Sequence, residues 1–400
     1  MPLPRSGRAE RAAWLRLVLT EGLGPAGVRD LLACFGLPEN VLAAGHGAIA
    51  QVIGRPLAHS LLAPDTAREA RIEQCLRWAE APGHHLLALG DPLYPARLLQ
   101  IGDPPPLLFV GGRPERLAAP SLAIVGSRAA TQGGCETAQA FSRALAEAGL
   151  TIVSGLAEGI DAAAHRGALD TPAGTVAVFG TGLDRVYPAR HAGLARAILE
   201  RGGAVVSEFP PGTGPRRASF PRRNRLIAGL SLGVLVVEAA QRSGSLITAR
   251  QAGEFGREVF AIPGSIHAPL ARGCHQLIRQ GAKLVETAND VLEELVPLGF
   301  GPADRASRPG GRDAAGAGGS AGTPDSGRAP DAPGAATSAD SALLAAVGWD
   351  PVGIDTLADR LQRGGEPADP GALVAELLAL ELARRVERLA DGRYRRTRDR

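Results

Sequence analysis

Between residues 120 and 297, short β-branched runs alternate with amphipathic stretches of helical length, and this alternation leaves few folds open. Seven runs read as strands: Leu122–Gly126, Thr151–Gly155, Thr175–Gly180, Ala204–Phe209, Gly233–Ala239, Glu258–Pro263 and Lys283–Thr287. Strands separated by helices predict a parallel sheet covered on both faces. Several runs end in glycine or serine just before a helix, which places permissive turns at strand carboxyl ends. In open α/β sheets, ligands bind there and helix N-termini offer free N–H groups to phosphate.

The rest of the 400-residue chain flanks that core. Domains of about 100–200 residues suggest two or three units. Residues 1–85 read as all-helical, with helices at Trp14–Thr20, Val28–Phe35 and Ala67–Trp78, and 86–298 as the sheet domain. Gly22-Leu-Gly-Pro-Ala-Gly-Val28 fits the hairpin of a helix-hairpin-helix or SAM-like module, though a plain glycine-rich helix connection fits as well. Residues 301–340 contain no Val, Ile, Leu, Phe, Tyr, Trp or Met, so 299–340 is expected to be a flexible linker.

Beyond it, in 341–400, Ser341–Val347, Gly353–Leu361 and Pro370–Ala383 read as helices. Val386–Leu389 and Arg393–Arg396 read as a hairpin turning at Asp391-Gly392. Three helices and a terminal hairpin predict a winged helix. Its third helix carries Glu376 and Glu381 and no basic residue, so contact with protein and contact with DNA weigh equally.

A net charge of +3 argues for no particular partner, and only local clustering is informative. Lys283 is the single lysine among 44 basic residues, so arginine in place of lysine means little at any one position. Cys34, Cys75, Cys135 and Cys274 are scattered without a CxxC pair, which predicts neither a zinc site nor a disulfide framework. Residues 1–10 offer no signal-peptide apolar region, and no apolar run approaches a membrane span. A reducing cytoplasm is the expected location.

The strongest local signal is an acid-free stretch from Phe209 to Val237 that contains Arg216, Arg217, Arg222, Arg223 and Arg225. Arginines that meet phosphates make binding salt-dependent, and Phe220 supplies a face for base stacking. Taken alone, the segment reads equally well as a solvated basic loop paired with carboxylates elsewhere. Ile124-Val-Gly-Ser-Arg128 ends the first strand, and Gly126, Ser127 and Arg128 could together hold one phosphate. Two further turns, Ser154-Gly-Leu-Ala-Glu-Gly159 and Ser243-Gly-Ser-Leu-Ile-Thr248, share this small-residue pattern, which close packing of helix on strand would also require.

Catalytic patterns are weaker. Gly180-Thr-Gly-Leu-Asp-Arg185 has Arg185 where a dinucleotide fingerprint needs its third glycine, and no GxxxxGK[ST] occurs. Glu158, Asp161 and His165 lie on successive helical turns. A structural Asp161–His165 hydrogen bond is expected rather than a metal site or general base. A phosphoribohydrolase-like nucleotide enzyme, the competing function, would carry a Pro-Gly-Gly-x-Gly-Thr turn that is absent. A nuclease would need a metal held by clustered carboxylates.

Taken together the motifs resemble the DprA (Smf) family of bacterial DNA-processing proteins. The resemblance runs through Tyr94-Pro95, Pro104-Pro105, Ile124-Val-Gly-Ser-Arg128, Ser154-Gly-Leu-Ala-Glu-Gly-Ile-Asp161 with His165, and Gly180-Thr-Gly-Leu-Asp184 with Tyr187-Pro188. It continues in Ser207-Glu208, Phe220-Pro-Arg-Arg-Asn-Arg225, Ser243-Gly-Ser-Leu-Ile-Thr248, Pro263-Gly264 and Gly281-Ala282. It implies an α/β protein: an extended Rossmann-like parallel sheet core, an all-α SAM-like N-terminal domain and a C-terminal winged-helix domain. It also implies a homodimer without enzymatic activity, cofactor or metal. Such a protein coats incoming single-stranded DNA in natural transformation, displaces single-strand-binding protein and loads the RecA recombinase.

The resemblance places phosphate contacts at Gly126, Ser127 and Arg128 and base stacking at Phe220, with Arg223 and Asn224 beside it, so Arg128 and Arg223 are expected to grip phosphates while Phe220 holds a base. Ser154, Gly155, Ser243 and Ser245 in the turns, with Arg217 in the basic stretch, complete the expected nucleic-acid-binding set. Arg190 is a further candidate basic contact. Two positions depart from the family pattern: His191 and His275 stand where asparagine is usual.

Overall fold

The computed structural model describes residues 7–298, 300, 339–364, 370–383, 385–389 and 391–397. The expected linker lies almost entirely outside these residues. The chain divides into two compact units, a body drawn from Met1–Ala130 and Gly134–Leu298 and a unit within Gly299–Arg400.

The body opens with helices α1 (Arg8–Leu19), α2 (Pro25–Phe35), α3 (Pro38–Ala43), α4 (Gly45–Ile53), α5 (Arg55–Leu62) and α6 (Thr66–Glu80). Asp65 caps α6 by accepting from the Ala67 and Arg68 amides. The three short helices α3, α4 and α5 escape the sequence reading because each is too brief to establish a 3.6-residue period. Trp14, Leu15, Ile72 and Leu76 of these helices share a core with Leu107 and Phe109 of the sheet.

Nine strands form the sheet of the body: β1 (His84–Ala88), β2 (Leu107–Gly112), β3 (Ser121–Val125), β4 (Thr151–Ser154), β5 (Thr175–Val178), β6 (Ala204–Ser207), β7 (Gly233–Val236), β8 (Glu258–Ala261) and β9 (Lys283–Leu284). Their order is β1-β2-β6-β5-β4-β3-β7-β8-β9. From β6 to β9 every pairing is parallel, whereas β1–β2 and β2–β6 are antiparallel. The seven strands expected from sequence are the parallel ones; the antiparallel pair is additional, and the expected domain boundary after residue 85 falls inside β1.

The parallel strands alternate with α7 (Gln132–Glu147), α8 (Ile160–Ala168), α9 (Ala192–Glu200), α10 (Ser219–Leu230), α11 (Gly244–Glu254) and α12 (Arg272–Arg279), and α13 (Ala288–Leu295) follows β9. Each early strand stops short of the expected glycine, because that glycine leaves the ladder to form a turn. After β3 the chain moves to β4 on one side, and only after β6 does it cross back to β7 on the other. The carboxyl ends of β3 and β7 therefore form a topological switch point, the place where open parallel sheets hold ligands.

The C-terminal unit contains α14 (Ala339–Val347), α15 (Ile354–Arg363), α16 (Pro370–Leu382) and the antiparallel pair β10 (Val386–Arg388) and β11 (Tyr394–Arg396). Leu343, Val347, Leu357, Leu377, Val386 and Tyr394 belong to one core, so helices and hairpin close on each other as a winged helix. Among the described residues, no helix is long and apolar enough to cross a membrane.

Candidate nucleic-acid interface

The turn after β3 is packed from below and open above. A Cβ on Gly126 would lie 2.6 Å from Ile160 Cγ1 and 2.8 Å from the Glu238 carbonyl oxygen, so only glycine fits. Ser127 N–H donates to that same carbonyl at 2.6 Å, which ties the end of β3 to the segment leaving β7. Ser127 Oγ accepts from the Ala129 amide at 3.2 Å. Arg128 projects to solvent with its guanidinium carbon 5.5 Å from the Phe220 ring centroid.

Next to this turn lies the turn that closes β4, and its groups are used internally. Ser154 is fully buried and its hydroxyl donates to the Ile124 carbonyl at 2.7 Å. Gly155 N–H donates to Asp161 Oδ2 at 3.1 Å, and Ala157 N–H donates to the same oxygen at 3.3 Å. Ser154 and Gly155, expected to face nucleic acid, thus turn inward. Burial pushes the Asp161 carboxyl up, against Arg223 and the two backbone donors, which hold it down.

The expected Asp161–His165 bond gives way to other partners. Asp161 occupies the first turn of α8 and reaches back to the amides preceding it, while His165 Nδ1 lies 2.7 Å from Thr175 Oγ1. Thr175 donates its own proton to the Ile152 carbonyl, so the imidazole donates from Nδ1. His165 Nε2 is left buried without a hydrogen-bond partner. Burial, reinforced by nearby Arg223, pushes the His165 pKa down to about 3 and keeps the ring neutral.

The arginine-rich segment is helical rather than a loop. Phe220 to Arg225 form the first turns of α10, and Pro221 sits where a missing N–H costs the helix nothing. Arg223 is only 3% exposed; its Nη1 donates to the carbonyls of Gly155, at 2.6 Å, and Val178, and its Nε donates to Asn224 Oδ1 at 3.2 Å. Burial lowers its pKa to about 10, against the opposing pull of Asp161.

Glu208, the residue before the acid-free stretch, neutralises two more of the five arginines. Its Oε2 meets Arg222 Nη2 at 2.8 Å and Arg225 Nη2 at 2.5 Å, and Arg225 Nε lies 3.7 Å from Asp103. Arg216 and Arg217 are exposed before α10 and form no ion pair among the described residues.

Across from α10, Ser243 caps α11, its Oγ accepting from the Ser245 amide at 3.3 Å and lying 2.7 Å from Ser245 Oγ. The N-terminus of α11 thereby faces the β3 turn across a cleft of about 310 Å³ at the switch point. Gly126, Ser127, Arg128, Arg223, Asn224, Ser243 and Ser245 line it. Of the other expected residues, Phe220 is not part of the lining but lies beneath Arg128, which is; Ser154 and Gly155 are buried outside the lining, and Arg217 also stands outside it.

Two residues nearby were not among the expected binding residues: Asp161, which lines the cleft, and Tyr187, whose ring centroid is 5.4 Å from that of Phe220. Tyr187 carries no periodic signal because it lies in a turn.

The two histidines that depart from the family pattern both hold backbone. His191 Nδ1 donates to the Leu156 carbonyl at 2.8 Å, beside the left-handed backbone of Leu156 at φ 59°. His275 Nε2 lies 3.0 Å from the Gly264 carbonyl. Arg190 pairs with Glu158 rather than standing free. No cluster of three or more His, Cys, Asp or Glu side chains that could hold a metal occurs among the described residues.

Comparison with known proteins agrees along most of the chain. Residues 85–296 match the family of DNA recombination-mediator protein A, and residues 327–392 match the DprA winged helix domain. Protein Smf of Escherichia coli is 52% identical over 224 residues, which is 56% of this chain and 60% of that protein. The DNA processing protein DprA of Streptococcus pneumoniae is 50% identical over 204 residues, covering 51% of this chain and 72% of that one. The X-ray structure of DNA processing protein A from S. pneumoniae superposes with a TM-score of 0.61 at 40% identity, covering 69% of this chain and 95% of that one. A chain with this switch-point cleft, this sheet and this winged helix belongs to the DNA recombination-mediator protein A family, the DprA/Smf DNA-processing proteins.

Proposed function

We propose that this protein binds single-stranded DNA at the cleft between the β3 turn and the N-terminus of α11. One observation carries the reading: an exposed arginine, Arg128, lines a cleft of hydroxyls and a helix N-terminus and lies over the half-buried aromatic ring of Phe220. Hydroxyl and amide donors suit a phosphate, the guanidinium adds a bidentate fork, and the ring offers a face to an unpaired base. In this reading Arg128, Ser127 and the α11 N-terminus take the phosphate while Phe220 holds the base. Arg223 acts from the cleft floor as a fixed charge, because its Nε and Nη1 are already bonded within the body.

The protein is a binding and loading factor rather than an enzyme. As a cytoplasmic homodimer it covers incoming single strands, displaces single-strand-binding protein and loads RecA during natural transformation. Family membership and the convergence of hydrogen-bond donors at the cleft support this.

The test is fluorescence anisotropy with oligo-dT. Arg128→Ala and Phe220→Ala should each weaken binding by roughly 1–3 kcal/mol, with the smaller loss for Phe220→Ala if stacking is shared among bases. Unchanged affinity in both variants would sink the assignment. Strand exchange by RecA on DNA already covered with single-strand-binding protein tests loading, and no stimulation by the wild-type protein would remove that role.

A further inference from the structure

Resting on that reading of the cleft, we infer that Tyr187 is a second base-stacking residue, and that its inclination to Phe220 makes the site favour single strands over duplex. The chain has three tyrosines. Tyr94 and Tyr394 are 5% and 4% exposed, whereas Tyr187 is 47% exposed. A large ring left half in water beside another aromatic is surface that a ligand can cover. The hydroxyl of Tyr94 donates to the Pro105 carbonyl at 2.8 Å, but that of Tyr187 has no hydrogen-bond partner among the described residues.

The turn that carries Tyr187 is held at several points. Thr181 Oγ1 donates to the Arg185 carbonyl at 2.5 Å, and the Asp184 carboxylate accepts from the Gly212 amide at 2.8 and 2.9 Å. On the far side, His191 is anchored to the Leu156 carbonyl. The ring is therefore positioned before any ligand arrives, which lowers the entropic cost of stacking.

Geometry supplies the selectivity. The Phe220 and Tyr187 rings are inclined by 46° with centroids 5.4 Å apart, and the Arg128 guanidinium, over Phe220 at 5.5 Å, turns aside to the phosphate when a base takes that ring. Two bases lying on the two rings would be inclined to each other by a similar angle. Neighbouring bases in a duplex are held nearly parallel by pairing and stacking, whereas a single strand can splay them. Tyr187 thus offers a second face that a single strand can use and a duplex cannot without unstacking.

The experiment uses full-length protein carrying Tyr187→Ala, Tyr187→Phe or Phe220→Ala. Oligo-dT and a duplex of equal length serve for affinity, and oligo-dT with one 5-iodouracil at successive positions serves for photocrosslinking. Tyr187→Ala should weaken oligo-dT binding by about 5- to 100-fold, as expected for one stacked base. Duplex binding should be unchanged, and Tyr187→Phe should keep most of the affinity. Crosslinks should map to Phe220 and to Tyr187 from different nucleotide positions. Wild-type affinity for Tyr187→Ala with crosslinks at Phe220 alone would overturn the inference and leave the cleft reading standing. Inertness of Phe220→Ala as well would overturn both.

Discussion

Arg223 donates from Nη1 to the Gly155 carbonyl at 2.6 Å, and that bond joins the helix bearing Phe220 to the turn that closes β4. The contact is close enough to dictate glycine: a Cβ at position 155 would lie 2.4 Å from Arg223 Nη1. An arginine expected to grip phosphate thus orients α10, and so sets where Phe220 stands beneath Arg128.

Arg223→Lys separates positioning from binding. A lysine ammonium cannot reproduce the planar fork that serves Gly155, Val178 and Asn224. Urea denaturation should show a loss of roughly 1.5–3 kcal/mol, the range for a buried hydrogen bond to a charged group. Exposed Arg128→Ala should stay within about 0.5 kcal/mol of wild type. Equal stability for the two variants would refute the structural role of Arg223.

His165 makes stability depend on pH. Its folded pKa of about 3 lies below the ordinary 6.5, so below pH 6.5 the unfolded chain takes up a proton that the folded chain refuses. Stability from this group is therefore intact above pH 6.5 and falls by about 1.4 kcal/mol per pH unit beneath it, levelling near pH 3. The raised carboxyls of Asp161 and Glu208 act in the opposite direction, so the comparison must be with a variant. The gap in unfolding free energy between wild type and His165→Asn should narrow as pH falls from about 7 to about 5. A gap independent of pH would show that the ring is not held neutral.

The parallel core was legible because strands buried on both faces read as continuous β-branched runs, as Leu122–Val125 and Val234–Val236 do. Edge strand β1, His-His-Leu-Leu-Ala and only half-buried, has neither that run nor a clean alternation. Charge was harder to place. The segment Phe209–Val237 contains no acid, yet Glu208 one residue upstream and Asp103, distant in sequence, take up Arg225, and backbone carbonyls take up Arg223. Composition registers how many arginines a segment holds; only tertiary contacts decide which of them face solvent.

That division predicts which arginine governs salt dependence. Arg217 is exposed and unpaired among the described residues, so Arg217→Ala should lower the slope of log affinity against log salt by roughly 0.7, the share of one phosphate on a single strand. Arg225→Ala should leave the slope unchanged and reduce stability, because it removes one of the two cations on buried Glu208. Titrating oligo-dT binding across salt concentrations checks both, and a smaller slope for Arg225→Ala than for Arg217→Ala would reverse the assignment.

Gly180→Ala tests the seat of the stacking ring from beneath. Gly180 opens the motif that superficially suggests a dinucleotide site, but its packing gives it another use: a Cβ there would lie 3.0 Å from Phe220 Cδ1 and 3.1 Å from Cε1. Those distances are tight without being prohibitive, and Phe220 is only half-buried, so its ring can yield by a few tenths of an ångström. Relief of that kind should hold the stability change to about 1 kcal/mol or less. The displaced ring would lose its setting between Arg128 and Tyr187, which stand 5.5 and 5.4 Å from its centroid. Oligo-dT affinity should then fall several-fold while the thermal midpoint moves little. Because the substitution deletes no side chain from the interface, such a loss isolates ring placement from ring chemistry, and full affinity in Gly180→Ala would mean that the exact seat of Phe220 is unimportant for binding.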